Sequence, residues 1–160
     1  KKETQDFKTN NSLDYNSNII NDVSYNSEDS KGNKYKIEAK KGEIDISNTD
    51  IIFLSGVLAE ISLNNSENIK IRSDFGKYNI NNYNTIFSKN LIIEYSDNNV
   101  SAELLEFLFS KNLLIISKNV IFSNKKNILK ADTIEIDIIT KDIKILMHEN
   151  KKKISIKHIN

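Results

Sequence analysis

Apolar and polar residues alternate along most of this chain. Tyr35, Ile37 and Ala39 fall on one side of an extended segment, and Lys34, Lys36, Glu38 and Lys40 fall on the other. Ile69, Ile71 and Ser73 alternate with Lys70 and Arg72 in the same way, and Ile134, Ile136 and Ile138 with Glu135 and Asp137. A period of two is the signature of a strand with one buried face. Polar clusters punctuate the strands. One set is Ser47–Asp50, Asn81–Asn84, Ser110–Asn112 and Thr140–Asp142, and a second is Asn64–Ser66, Ser96–Asn99 and Asn124–Asn127. These are turn residues by chemistry, and the chain has no proline to share the task. Many short strands between regular turns predict an all-β sandwich, jelly roll or barrel. Ala102–Phe109 is the one segment that also fits a helical turn or two, but in register with its neighbours it is a further strand.

The pattern repeats. Four segments superpose without gaps from a small residue, Ala39, Ser73, Ala102 or Ala131. Position +5 is then Ile44, Tyr78, Phe107 and Ile136, and position +7 is Ile46, Ile80, Phe109 and Ile138. Position +14 is Phe53, Phe87, Ile116 and Ile145, and the turn-like position +17 is Gly56, Asn90, Asn119 and His148. Positions +18 and +20 are Val57/Ala59, Leu91/Ile93 and Val120/Phe122, and become Glu149/Lys151 in the last copy. Units that cannot bury their own apolar face stack on one another. The expectation is one stacked all-β domain, a sandwich, jelly roll or barrel, over residues 23–160, with residues 1–22, polar and without period, as a flexible tether.

Composition adds exclusions. The 23 Lys+Arg against 22 Asp+Glu leave a net charge of +1, which argues against a nucleic-acid partner. Without cysteine there are neither disulfides nor zinc–thiolate sites. No apolar run reaches the ~20 residues that span a bilayer. The chain opens at Lys1-Lys2-Glu3 rather than Met, so a preceding signal or anchor segment is expected.

Enzyme chemistry finds little footing. The acid pairs Glu43/Asp45 and Glu135/Asp137 lie opposite the apolar side of their strands, where nothing raises a carboxyl pKa. No phosphate loop, dinucleotide fingerprint or calcium loop is present. The expectation is a protein without catalytic residues, metal or cofactor. The apolar interior is the remaining feature. It forms either a filled core or a slot that admits acyl chains between the two layers.

The run from Tyr25 through Gly32, Tyr35, Ile37 and Ala39 to Gly42 resembles the entry to the folded domain of the LptC family of lipopolysaccharide-export proteins. Ile71-Arg72-Ser73-Asp74 and Leu129-Lys130-Ala131-Asp132 are similar to that family's "apolar-x-small-Asp" strand openings, and Leu54-Ser55-Gly56-Val57 to the strand that follows. The resemblance spans about Val23 to Ile156, through repetition rather than any one motif. It implies a periplasmic twisted β-jelly roll, an open sandwich of antiparallel strands, that holds the lipid A part of lipopolysaccharide. Such a roll is tethered to the inner membrane by an N-terminal helix, receives lipid from an ABC transporter and passes it to the bridge protein LptA. An LptA-like bridge protein, and a structural β-repeat such as an adhesin module, stay open as alternatives, as does a homodimer. The residues expected to meet acyl chains are Tyr35, Ile37, Ala39, Ile44, Ile46, Val57, Ala59, Ile61, Ile71, Ile80, Leu91 and Ile93. Lys34, Lys36 and Lys40 either meet lipid phosphates or form a solvated face. The edge Lys153, Ile154, Ser155, Ile156, Lys157 and His158 either pairs with a partner strand or is blunted by its lysines.

Overall fold

The structure, a computed structural model, describes residues 6–7, 18–64, 66–147 and 155–158. It is one antiparallel sheet whose first ten strands follow one another in sequence order, while the eleventh pairs with the ninth. They are β1 (Asp6–Phe7), β2 (Ile19–Glu28), β3 (Lys34–Ile44), β4 (Ile51–Ser62), β5 (Ile69–Asn79) and β6 (Thr85–Tyr95). Then come β7 (Asn98–Leu108), β8 (Leu113–Ser123), β9 (Asn127–Asp137), β10 (Ile143–Leu146) and β11 (Ser155–His158). A 3-10 turn at Phe109–Lys111 is the only helical segment among the described residues. Ala102–Phe109 is therefore strand for all but its last residue. Pairing of β2 with β3 begins at Ile19, opposite Glu43, four residues ahead of the expected boundary at Val23, and β1, within the expected tether, pairs Asp6 with Asn26 and Phe7 with Tyr25. The sheet does not close on itself, and the fold is an open β sandwich of the jelly-roll type.

A single sheet forms a sandwich because a crease crosses it. Backbone with positive φ recurs in the middle of alternate strands: Asp22 (53°), Gly56 (64°), Lys89 and Asn90 (62° and 49°), and Lys118 and Asn119 (65° and 53°). Lys40, Asp74, Glu103 and Asp132 face them on the strands between, where the ladder is interrupted. Asn90 Nδ2 donates to Asp74 Oδ2 at 2.6 Å, and Asn119 Nδ2 to Glu103 Oε1 at 2.7 Å. The inward period slips here: Ala39 and Gly42, Ser73 and Gly76, Ala102 and Leu105, and Ala131 and Ile134 are buried in pairs three residues apart. Position +17 is thus a bend inside a strand, not a turn between strands. His148, the fourth member, lies outside the described residues.

The crease divides each long strand into two half-strands, and so the sheet into two leaves. Tyr25 and Tyr35 of the first leaf stack on Tyr78 and Phe107 of the second, with centroids 4.8 and 5.6 Å apart. Between the leaves Leu54, Ile71, Phe87, Leu105, Leu114 and Ile116 are sealed from solvent. Burial of each aliphatic side chain stabilises by about 1.5–3 kcal/mol. Side-chain caps fix the hairpin ends. Asp45 Oδ1 accepts from the Ser47 N–H and hydroxyl, Asn79 Oδ1 from the Asn81 N–H, and Asp137 Oδ1 from the Ile139 and Thr140 N–H groups. Successive hairpin ends are tied together: Ile80 N–H donates to Asp50 O, and Ile138 N–H to Asn112 O, each at 2.9 Å.

Two positions of the repeat depart from the expected inward set. Ile46 is 84% exposed, because β3 ends at Ile44 and the capped turn of Asp45 carries Ile46 out at its tip. Phe53 is 46% exposed, and Leu54 takes its place inside at 1%. The hairpin between Ile44 and Ile52 is one residue longer than those between Tyr78 and Thr85 or Phe107 and Leu114. The crease of β4 is one residue shorter, with Gly56 alone where β6 and β8 have two left-handed residues. The two differences cancel in length, so the sequence superposes without gaps while the half-strand between them is turned over.

Candidate functional site

The interior has a tight stretch and a wide one. The tight stretch runs from β2 to β7 and holds a gap of only about 20 Å³ among Tyr25, Tyr35, Tyr78, Tyr83, Phe107 and Phe109. Phe109 stands edge-on to Tyr35 at 4.8 Å and to Tyr83 at 5.1 Å. The Tyr35 hydroxyl lies 3.0 Å from Asp29 Oδ2 and 3.5 Å from Asn112 Oδ1, which fixes the ring at both leaves. Burial pushes the Asp29 carboxyl up. Hydrogen bonds from the Asn33 side chain and N–H, the Lys31 N–H and the Tyr35 hydroxyl outweigh that and hold it below the ordinary range. Burial pushes the Tyr25 phenol up to about 12.

The wide stretch lies towards β10. A cavity of about 150 Å³ opens between Ile69, Ile93, Val100, Phe122 and Leu129 of the first leaf and Leu114, Ile134, Ile136, Ile143 and Ile145 of the second, with Ile138 of the adjoining turn. Tyr95, Asn98, Asp137 and Lys141 bring polar atoms to the same wall. The gap follows from the length of the last unit: β10 has four residues where β8 has eleven, so fewer side chains enter this end.

Eleven of the twelve residues expected to meet acyl chains point inward, at different depths. Tyr35, Ile37, Ala59, Ile61 and Ile71 line the tight gap, and Ile93 lines the cavity. Ala39, Val57 and Leu91 are buried beside the crease, Ile44 and Ile80 are half-buried at the hairpin ends, and Ile46 is outside. Most of the cavity wall, from Phe122 to Ile145, was not among the expected residues. Its signal was present in positions +7, +14 and +20 of the later copies. Lys34, Lys36 and Lys40 lie on the outer side of β3. Lys36 Nζ pairs with Glu38 Oε1 at 2.6 Å, and the methylenes of Lys40 cover Gly56. β11 pairs with Asn127–Lys130 of β9 through Ser155–His158. Lys153 and Ile154 lie outside the described residues.

Asp45 and Asp137 serve their turns. Hydrogen bonds from Ser47 hold the first below the usual carboxylate range, and the N–H groups of Thr140 and Ile139 the second. Among the described residues there is no cluster of His, Cys, Asp or Glu able to hold a metal, and no helix long and apolar enough to cross a membrane. No protein-family model matches the chain, and no curated protein matches it.

Proposed function

We propose that the protein is a lipid carrier of LptC type that takes the acyl chains of lipopolysaccharide between its two leaves. In this reading it works without catalysis in the periplasm, held at the inner membrane, between an ABC transporter and an LptA-like bridge protein. The observation that carries the reading is the apolar cavity at the β10 end, bounded by both leaves of a sheet that leaves one side unsealed. A dry cavity of about 150 Å³ is enough for a small apolar group such as benzene. A whole fatty tail, and more so several, requires the leaves to part along the open side.

The test uses a photo-crosslinking amino acid in cells that make lipopolysaccharide. At Phe122, a half-buried wall residue, it captures lipopolysaccharide; at Leu58, on the outer face, it does not. A folded Phe122 variant that captures no lipid removes the carrier reading and leaves the structural scaffold.

A further inference from the structure

The tight and wide stretches differ in what they can admit. Room of about 20 Å³ holds about one water-sized sphere, whereas the cavity beyond is several times larger. The boundary is sharp: Ile69 lines the wide cavity, and Ile71, the next inward residue of β5, lines the tight gap. Behind it the stacked pairs Tyr25–Tyr78 and Tyr35–Phe107 bridge the leaves, and Tyr35 is anchored to Asp29. Forcing extra methylenes into a filled core costs about 1–3 kcal/mol, and a chain passing this point would insert many.

We propose that the aromatic cluster is a stop, and that the interior is a blind pocket for acyl-chain ends rather than a conduit along the roll. This rests on the acyl-chain reading above. A tail enters by the β10 end, its terminal methyl halts near Ile71, and it leaves by the same mouth. Hand-over to a partner therefore takes place at the β10 end. No tail travels past Tyr25 and Tyr35 to the β2 edge.

The full chain is incubated with palmitic acid bearing a diazirine at the chain end, irradiated and digested, and adducts are located by mass spectrometry. The expected adducts fall on Ile93, Phe122, Ile134 and Ile145, with none on Tyr25, Ile37 or Tyr78. Adducts on both sides of the aromatic cluster overturn the stop and leave the lipid reading intact. No adduct anywhere overturns both. Phe107→Leu thins the cluster, and the map then extends to Ile37 and Tyr25. An unchanged map in a Phe107→Leu variant that folds, by circular dichroism, overturns the assignment of the stop to these rings.

Discussion

Gly56 sits at φ +64°, and a Cβ there would lie 3.0 Å from the Cγ and Cδ methylenes of Lys40. Left-handed backbone costs an ordinary L-residue about 1–2 kcal/mol, and Asn less than most. Gly56→Ala is expected to lose about that amount in urea unfolding, and Gly56→Asn less. Asn already holds this place in β6 and β8 at Asn90 and Asn119, where its amide also reaches a carboxylate across the crease. Tyr25 sets a different limit. Its phenol is 3% exposed and held up to about 12, so the folded state keeps a proton that the unfolded chain releases from its ordinary value of 10.0. The folded form binds more protons in that window, so stability is intact below pH 10.0 and falls towards pH 12. Tyr25→Phe is expected to flatten this alkaline limb in unfolding curves recorded across the window.

At the scale of the hairpin, the extra residue in the crease of β6 carries a prediction. Deleting Lys89 leaves Asn90 as a single left-handed residue, the arrangement of Gly56 in β4, and keeps both Phe87 and Leu91 inward. Cooperative unfolding is expected to survive with a loss within the ordinary range of about 0.5–3 kcal/mol. Deleting Ile92, outside the crease, turns the rest of its half-strand over, drives Ile93 out and costs more; urea midpoints of the two variants compare them. The alternation around Tyr35, Ile37 and Ala39 was legible because each half-strand has one wet face. The turn at Ser47–Asp50 was legible through its Ser, Asn and Asp residues, but its cap Asp45 was not, because an acid that ends a strand continues the same alternation as one within it. The crease was not, because a Gly or Asn with positive φ serves a turn and a mid-strand bend alike. Phe53 was misplaced because a longer hairpin and a shorter crease cancel, and no gap in the repeat betrays them. Most of the candidate site was hidden for another reason. A cavity is space left by a short β10, and the residues around it carry the same apolar pattern as those of a filled core.

At the scale of the molecule, an open sheet has two edges to protect. β9 is the last long strand, and two short strands share its outer side: β10 covers Thr133–Ile136 and β11 covers Asn127–Lys130. Truncation after Met147 uncovers the second stretch. Concentration-dependent self-association is expected, and sedimentation of the truncated and full chains checks it; a truncated chain that stays monomeric at the same concentrations counts against this role for β11.

Sequence order and spatial order coincide from β1 to β10, so among the described residues no connection crosses the sheet, and each hairpin is laid against the one before it. The small residues that open the units stand at 39, 73, 102 and 131, so one unit is encoded by a short continuous stretch. A tandem duplication of that stretch inserts two strands, about 10 Å along the axis, without rerouting any other part of the backbone. The span of this protein is therefore a quantity that inheritance can reset in whole-hairpin increments, by copying errors alone.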